Sequence, residues 1–257
     1  MKISIITTTY NSENTIIKTL KSLRSQNYQN VEYIWIDNNS TDNTFEILKK
    51  NSTKNTILLQ VNNTRISEAW NIGIEKSTGE IIYFLNSDDV LNDDEVFSKV
   101  INAFNTYECN IIMGNILYVN NKNKIIRNWK ININENKIIS QNEICNFLKM
   151  GWMPPHPGFF IHRDIFYNKI FFNKSYNISF DYDFMIKSLI SKNSKPIYLN
   201  YTISRMLIGG NSNKLTNIIQ KMKEDLKIIY ENNIGNFFTL IFKNLRKLPQ
   251  FINFKNS

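Results

Sequence analysis

The chain has 257 residues, of which 42% are hydrophobic, and its formal net charge is +9. This length suits one large α/β domain or two small ones, with enough apolar residues for a substantial core. Two cysteines, Cys109 and Cys145, exclude a disulfide framework and indicate a reducing compartment. The sequence lacks a signal-peptide pattern and any run of ~18 apolar residues that could span a membrane. We therefore expect a cytoplasmic protein, possible contact with the inner face of the membrane, and anionic partners.

Strand and helix patterns alternate through the first half of the sequence. Apolar, β-branched runs predict strands, and apolar residues at helical spacing predict helices. The predicted strands are 3–8, 31–37, 56–61 and 81–85, and the predicted helices are 11–26, 40–50, 67–77 and 93–104. Such alternation implies right-handed crossovers and a mostly parallel sheet, whose ligands bind beyond the carboxyl ends of the strands.

Polar clusters follow three of these strands. The first strand ends at Thr-Thr-Tyr-Asn (8–11), the second at Asp-Asn-Asn-Ser (37–40) and the fourth at Asn-Ser-Asp-Asp (86–89). The clusters should converge on one edge of the sheet. Asp88 and Asp89 are adjacent carboxylates, which repel each other unless a cation or a donor group lies between them. We therefore predict a single site at this edge, with an electropositive ligand at the two acids.

The second half of the sequence is less regular. Three prolines, Pro154, Pro155 and Pro157, predict an extended, rigid loop over residues 152–166. The other predicted elements are two extended segments within 109–131, helices at 141–151 and 179–192, a strand at 196–207, and helices beyond it.

Five motifs in a fixed order give the sequence a family resemblance. They are ITTTYN (6–11), WIDNNSTDNT (35–44), ISEAWNIGI with TGEIIYFLNSDD (66–89), HPGFFIHRDIF (156–166) and FDYDFMIKSL (180–189). Together they resemble the family-2 glycosyltransferases, inverting enzymes that use nucleotide-diphosphate sugars. The resemblance implies the α/β GT-A fold, a Rossmann-like arrangement in which helices flank a mixed, mostly parallel sheet, with a helical C-terminal extension.

The resemblance also implies a domain organisation and a reaction. Residues 1–208 would form the glycosyltransferase domain, with a nucleotide-sugar-binding half (1–110) and an acceptor-binding half (111–208). The resemblance covers roughly residues 3–205; beyond it, the residue pattern of 209–257 predicts a helical, basic, amphipathic extension. The expected reaction is transfer of a sugar, with inversion, from a UDP-sugar to a hydroxyl of a glycan or lipid-linked acceptor. Synthesis of bacterial cell-surface polysaccharide is the expected setting.

The motifs assign roles to particular residues. Contacts with the nucleotide-sugar are expected from Thr9, Tyr10, Asn11, Asp37, Arg65, Asn71, Ser87 and Asp88. A divalent cation, Mn²⁺ or Mg²⁺, is expected at Asp88 and Asp89, because hard cations prefer carboxylate oxygens and bridge them to a diphosphate. Asn86 departs from the Asp-x-Asp metal motif of the family, and Glu68 stands where the family often has Asp.

Several of these residues have a plainer interpretation. Asp88 and Asp89 could instead cap the helix predicted after them, and Asp37 could cap the helix that begins near Ser40. Arg65 could pair with a phosphate or remain a solvated surface residue.

Asp181 is the candidate general base, which would take the proton of the acceptor hydroxyl. Phe180 precedes it, where the family often has Glu. Asp183 lies two residues further on and should point away from Asp181 on a helix. Alternatively, both acids only stabilise a helix N-terminus.

Two basic residues could contact the acceptor or the diphosphate. His156 lies between prolines and could equally bond a loop carbonyl. Arg163 could equally be a surface residue.

The C-terminal region combines an apolar stripe with positive charge. The stripe comprises Phe238, Ile241, Phe242 and Leu245, and the basic residues are Lys243, Arg246, Lys247 and Lys255, without any acid after residue 236. This pattern is typical of a helix that lies on an anionic membrane. A helix packed on the catalytic domain would explain the stripe equally well.

The sequence also bears on other classes of function. A dinucleotide-dependent oxidoreductase is excluded because no G-x-G-x-x-G follows the first strand. A nucleic-acid-binding module is disfavoured because the basic residues are scattered, except in the tail. A nucleotide-sugar-binding protein without catalysis remains, and only Asp181 argues against it.

Overall fold

The computed structural model describes residues 1–131, 133–208 and 215–246, in which helices cover both faces of one sheet. The described strands are β1 Ile3–Thr9, β2 Val31–Asp37, β3 Thr56–Gln60, β4 Ile81–Phe84, β5 Val90–Leu91, β6 Ile111–Val119, β7 Ile125–Trp129, β8 Phe159–His162 and β9 Pro196–Leu207. The described helices are α1 Ile16–Arg24, α2 Thr44–Lys50, α3 Ile66–Lys76, α4 Val96–Tyr107, α5 Gln141–Lys149, α6 Phe180–Ile190, α7 Leu215–Glu231 and α8 Phe237–Leu245.

The sheet is mixed, as the sequence predicts. Its strand order is β3-β2-β1-β4-β8-β6-β9-β5, and β7 pairs with β6. The first four strands pair in parallel, because the helices between them return the chain to the same edge each time. β8 is antiparallel to both β4 and β6, whereas β6 and β9 are parallel. The parallel half of the sheet, β3-β2-β1-β4, therefore joins β6 and β9 through β8.

The expectation of a loop over residues 152–166 is wrong in part. Phe159–His162 forms β8 in the centre of the sheet, after a short 3₁₀ turn at His156–Gly158. The prolines restrict the backbone only at their own positions and at the residues beside them. The apolar residues after them are fully buried, and their backbone pairs with β4 on one side and β6 on the other. Gly158 permits the entry into the strand, since a Cβ there would lie 2.4 Å from the Gly114 carbonyl oxygen.

Alternate residues of the central strands face two separate cores. Ile5 of β1 and Tyr83 of β4 pack with α1, α2 and α4, while Ile6 and Phe84 pack on the opposite face with α3, α5 and α6. This alternation is the period-two pattern of a strand that is covered on both faces. It explains why the strands read as continuous apolar runs in the sequence.

The C-terminal helices belong to the second of these cores. Ile228 and Ile229 of α7 and Leu240 of α8 are at most 3% exposed and pack in the same cluster as α6. A helical C-terminal region is thus present, while its separation from residues 1–208 as a distinct unit stays a prediction. Across residues 1–131, 133–208 and 215–246, no helix combines the length and hydropathy needed to cross a membrane.

A buried carboxylate fastens the amino ends of the central strands. Glu32 of β2 accepts hydrogen bonds from Lys2 Nζ at 2.5 Å and Ser4 Oγ at 2.5 Å. The N–H groups of Thr78 and Gly79 also donate to it, at 2.6 and 3.1 Å. Burial alone would raise the pKa of Glu32, but these donors outweigh burial and lower the pKa to about 2. This network holds the turn before β4 against β1 and β2.

We predict that Glu32→Gln lowers the free energy of unfolding at pH 7 by about 1–3 kcal/mol, since buried donors lose a charged acceptor. Because the folded-state pKa is depressed, the contribution of Glu32 is present above its ordinary value of 4.5 and is lost as the pH falls toward about 2. Urea denaturation should therefore show that the difference in free energy of unfolding between wild type and variant becomes smaller from pH 7 to pH 3. Glu75→Gln, at an exposed position of α3, is the control. A gap that does not change with pH would contradict the assignment.

Candidate active site

The polar turns after β1, β2 and β4 meet at one edge of the sheet, as predicted. Asn38 N donates to the Thr9 carbonyl at 2.8 Å, and the hydroxyls of Ser12 and Ser87 lie 2.9 Å apart. Thr41 N donates to Asn11 Oδ1 at 2.9 Å. These bonds fix the three turns to each other, so the edge is a single surface.

The turn after β1 presents its side chains to solvent. Tyr10 is 61% exposed, and Asn11 adopts a left-handed backbone with φ of 48°. Asn tolerates this conformation better than most residues because its short polar side chain bonds locally. The exposed Tyr10 ring beside Asn11 offers a surface on which a nucleoside could pack.

The carboxylate of Asp37 accepts hydrogen bonds from residues of the neighbouring turns. Its Oδ1 accepts from Thr9 Oγ1 at 2.8 Å and Ser40 Oγ at 2.6 Å, and its Oδ2 accepts from Ser40 N at 2.9 Å. The side chain is fully buried. This geometry favours the interpretation in which Asp37 and Thr9 order the turn, and leaves direct contact with a base to the more exposed residues around them.

The acids after β4 lie in a strongly desolvated corner. Asp89 is fully buried, and its carboxylate accepts from Asn86 Nδ2 at 2.8 Å and Leu207 N at 3.3 Å. Thr19 Oγ1 holds the turn from behind through the Ser87 and Asp89 carbonyls, at 3.0 and 2.9 Å. The alternative role as helix caps is wrong, because β5 follows the acids and α4 begins only at Val96.

The electrostatics of this corner fit a cation. Burial first, and then the neighbouring Asp88 charge, raise the pKa of Asp89 to about 8, and burial also raises the pKa of Asp88. A divalent cation would remove this repulsion, and paired carboxylate oxygens are suitable ligands for Mg²⁺ or Mn²⁺. Within the described part of the chain no three acidic, His or Cys side chains form a metal cluster. A cation here would therefore complete its coordination with diphosphate oxygens and water.

Asp181 lies in the first turn of α6 and is half-buried. Its Oδ1 accepts from Tyr182 N at 2.8 Å. Asp183 is fully buried on another side of the helix, where Lys187 Nζ lies 2.7 Å from its Oδ2 and Asn232 Nδ2 lies 3.4 Å from its Oδ1. As predicted, the two acids point in different directions.

A group of residues on β6 and β7 joins the site, and the sequence did not reveal it. Burial raises the pKa of Tyr118 to about 12; the Arg127 charge opposes this shift, while the charges of Asp89 and Asp181 add to it. In the register of β6 and β9, Tyr118 lies opposite Met206, next to Leu207, whose N–H donates to Asp89. Arg127 Cζ is 4.6 Å from the Tyr118 ring centroid and 4.9 Å from that of Trp129. The one feature of the sequence that could have indicated this group is the spacing of Arg127 and Trp129, because residues two apart lie on the same face of a strand.

His156 is buried beside the same region. Its ring stacks on Trp70, with centroids 4.6 Å apart and an interplanar angle of 11°. Burial lowers the pKa of His156 to about 4, although the Asp181 charge opposes the shift. The imidazole is therefore neutral at physiological pH and can offer hydrogen bonds, but not charge, to a substrate.

Three predicted ligands have other partners in the structure. Arg163 is the clearest correction, since it bonds the Gly79 carbonyl at 2.8 Å and Ser77 Oγ at 2.7 Å, at the amino end of β4 and away from the acids. Asn71 is buried, and its amide bonds the backbone N–H and carbonyl of Phe172, each at 2.9 Å. Arg65 Nη1 donates to the Lys174 carbonyl at 2.7 Å. We therefore assign Arg163 and Asn71 to the framework of the fold.

Comparison with known proteins agrees with this architecture. The model of the family described as "Glycosyl transferase family 2" matches residues 4–175, more than half of the chain. The chain belongs to glycosyl transferase family 2. The match runs from β1 past β8 and ends shortly before the segment that carries Asp181.

Curated relatives are similar over shorter stretches. Glycosyltransferase GlyA of Streptococcus pneumoniae is 33% identical over 119 residues, which are 44% of this chain and 16% of that protein. The Escherichia coli UDP-Glc:alpha-D-GlcNAc-diphosphoundecaprenol beta-1,3-glucosyltransferase WfaP is 38% identical over 88 residues, 34% of this chain and 35% of that protein. The matches thus span well under half of these relatives.

Solved structures establish the fold. Staphylococcus aureus TarS (residues 1–349 of that protein) in complex with UDP-GlcNAc superposes with a TM-score of 0.70 at 20% identity, over 89% of this chain and 66% of that one. The Pyrobaculum calidifontis mannosyltransferase PcManGT with GDP-Man and Mn²⁺ gives a TM-score of 0.64 at 12% identity, over 90% of this chain and 63% of that one. The family-2 chain therefore has the GT-A fold, as its motifs imply.

We predict that Mn²⁺ raises the thermal unfolding midpoint of the wild-type chain and has little effect on Asp89→Asn. A ligand that binds only the folded state stabilises it, and the substitution removes one of the two carboxylates that would hold the ion. Differential scanning fluorimetry with and without Mn²⁺ is the measurement. Asp94→Asn, an exposed acid nearby in sequence, should keep the response. An equal response in Asp89→Asn would remove Asp89 from the metal site.

Proposed function

We propose that this chain transfers a sugar from a UDP-sugar to an acceptor hydroxyl, with inversion at the anomeric carbon. The observation that carries the proposal is the position of Asp181. Tyr118 links its half-buried carboxylate to the polar edge: Tyr118 lies opposite Met206, next to the Leu207 N–H that donates to Asp89, and the charges of both carboxylates help to raise its pKa. A base that acts on the same region as a candidate diphosphate site is what displacement of a nucleoside diphosphate requires.

The donor half of the site suits a nucleotide-sugar. We assign the nucleoside to the surface of Tyr10 and Asn11, and the diphosphate to Ser87 and Asp88. UDP is the nucleotide we favour, because TarS was crystallised with UDP-GlcNAc and the name of WfaP specifies UDP-Glc. The same names favour a hexose or an N-acetylhexosamine as the transferred sugar.

The reaction needs one proton acceptor from the protein. Asp181 would take the proton of the acceptor hydroxyl as its oxygen bonds to the anomeric carbon from the face opposite UDP. The bond between that carbon and the diphosphate breaks, and UDP leaves with the electron pair. Attack from the opposite face inverts the anomeric configuration. A divalent cation held by Asp88 and Asp89 would neutralise the negative charge on the departing diphosphate.

The acceptor would lie on the β6–β7 side of the site. There the aromatic rings of Tyr118 and Trp129 lie beside the buried Arg127 guanidinium. Such a surface suits a carbohydrate, which presents both apolar faces and hydroxyls. We favour a glycan or lipid-linked acceptor in the synthesis of bacterial cell-surface glycans, because WfaP is named for a diphosphoundecaprenol-linked acceptor.

We predict that Asp181→Asn lowers sugar transfer about 10²–10⁴-fold, the usual contribution of a positioned base. Affinity for UDP should change little, since the side chain faces the acceptor. UDP-glucose, UDP-galactose and UDP-N-acetylglucosamine are tested first with Mn²⁺, and UDP release is followed for the fastest. Calorimetry gives the UDP affinity, and NMR of the product gives its configuration.

Asp164→Asn is the matched control, because Asp164 pairs with His162 next to Arg163, away from the acids. Asp183→Asn is a poorer control than the sequence suggests, since it breaks a buried ion pair and should lower stability. A retained anomeric configuration would refute the mechanism. Wild-type activity in Asp181→Asn would refute the choice of base. UDP binding without release from any donor would support the non-catalytic alternative.

We also propose that α8 contacts an anionic membrane surface. Phe238, Phe242 and Leu245 are 63%, 38% and 50% exposed, although the opposite side of α8 is packed on the domain. The predicted membrane contact would therefore involve the exposed face of α8, and the predicted packing on the domain involves the opposite face. Arg246 is exposed beside the stripe, and no acid occurs in residues 232–257. Lys247 and Lys255 lie outside the described residues. Apolar side chains beside uncompensated positive charge favour anionic lipid over a neutral partner.

Replacing Phe238 and Phe242 together with Ser should weaken binding to phosphatidylglycerol-containing vesicles at least about ten-fold, because the membrane contact loses two exposed aromatic side chains that would enter the lipid. Co-sedimentation is the measurement, and Tyr167→Ser, which is 80% exposed elsewhere, is the control. Truncation after residue 235 is less informative, since it also removes the buried Lys243. Equal pelleting of all three proteins would refute the proposed contact.

A further inference from the structure

A buried lysine joins the three C-terminal helices of the described chain. Lys243 of α8 has a side chain that is only 9% exposed, and its Nζ lies 2.6 Å from Asp225 Oδ2 of α7. The same Nζ lies 3.3 Å from the centroid of the Tyr182 ring of α6. A cation at this distance from an aromatic face is attracted by the ring. One ammonium group therefore contacts both neighbouring helices.

Stability alone is a weak explanation for this arrangement. Desolvating two charges is costly, and replacing both members of a buried ion pair with apolar residues is often neutral or stabilising. Asp225 is 2% exposed, and its Oδ1 has no hydrogen-bond partner within the described residues. The pair is thus incompletely satisfied, although it lies in a core where apolar side chains would fit. What it does provide is a fixed orientation of Tyr182.

Tyr182 in turn fixes the candidate base. It directly follows Asp181, whose Oδ1 accepts a hydrogen bond from the Tyr182 N–H at 2.8 Å. The ring that contacts Lys243 and the N–H that contacts Asp181 therefore belong to one residue in the first turn of α6, and Tyr182 joins the ion pair to the candidate base.

The position of Lys243 is set at the level of the backbone. Thr239 Oγ1 and Arg246 Nε, on either side of it, donate to the carbonyls of Lys149 and Met150 at 2.9 and 2.8 Å. Gly151 has a φ of +70°, and a Cβ there would lie 2.2 Å from Lys243 N. Only glycine allows so close an approach, and therefore α8 is held in a defined place.

We propose that Lys243 is a positioning residue for Asp181, and that α8 is in this way part of the active site. The proposal rests on the proposed function, in which Asp181 is the general base. Lys243, balanced by Asp225, holds the Tyr182 ring, and the Tyr182 N–H holds the carboxylate toward the acceptor hydroxyl. A small displacement of a catalytic group can cost about 10²-fold in rate, so this support matters to the reaction.

The test is a double-mutant cycle between the ion pair and the base. Asp225→Asn combined with Lys243→Met removes both charges and leaves no unpaired ion. We expect kcat for UDP release, with the donor selected above, to fall about ten- to a hundred-fold, while the donor KM and the UDP affinity stay unchanged. In the Asp181→Asn background the same pair of substitutions should cause no further loss, because the residues act through one group. Lys223→Met, at an exposed position of α7, is the control.

Each outcome bears on a different claim. Equal losses in both backgrounds would show that the pair acts independently of Asp181 and would overturn the inference, as would an unchanged kcat. Full activity of Asp181→Asn alone would instead refute the choice of Asp181 as base, and no UDP release by the wild type would refute the proposed function. If the paired variant loses its folded circular dichroism spectrum, Tyr182→Leu takes its place in the cycle. That substitution removes the ring and leaves the ion pair intact, and the same expectations apply.

Discussion

The site depends on two carboxylates forced together at the carboxyl end of β4. The strand is buried on both faces, so the chain that leaves it carries Asp88 and Asp89 directly from an apolar layer into a desolvated corner. Without a counter-ion this arrangement opposes ionisation of Asp89. Hydrogen bonds from Thr19, Asn86 and the Leu207 N–H hold the turn in this position, so the turn cannot move to relieve the electrostatic repulsion. Such unrelieved repulsion is typical of a site that receives a cation and its anionic ligand.

The Leu207 bond also links the two halves of the sheet at this point. Leu207 is the last residue of β9, which runs parallel to β6, and β5 pairs with β9 immediately after the acids. The turn that carries Asp88 and Asp89 is thereby held by a strand from the second half of the sheet. A family-2 enzyme must align its two substrates, and this contact fixes the two regions relative to each other.

Much of the fold could be predicted from the sequence because its first half obeys local rules. The alternation of apolar runs and helical spacing gives the parallel order of β1 to β4, and strand ends in such a sheet must share an edge. The same reasoning separates Asp181 from Asp183, since their angular positions on a helix differ by about 200°. Each of these predictions needs only neighbours within a few residues.

The predictions that failed depend on contacts between distant segments. β8 looks like a continuation of a proline-rich loop, and only pairing with both β4 and β6 makes it a central strand. Arg163 has the composition of a phosphate ligand, yet the strand before it carries it to the opposite edge. Tyr118 comes close to the acids after β4 because β6 pairs with β9, whose Leu207 N–H bonds Asp89, and β7 carries Arg127 onto the Tyr118 ring. No local pattern encodes such proximity.

The two faces of α8 together indicate a role for this helix that neither face indicates alone. One face carries the buried Lys243 against Tyr182, and the other exposes Phe238 and Phe242. A separate amphipathic tail would have no reason to bury a charge among α6 and α7, and a purely structural helix would have no reason to expose large aromatic side chains. If α8 meets a lipid surface, that surface and the candidate base are separated by a single helix that is fixed to both. An acceptor carried by the membrane would then approach Asp181 from the side on which the protein is held.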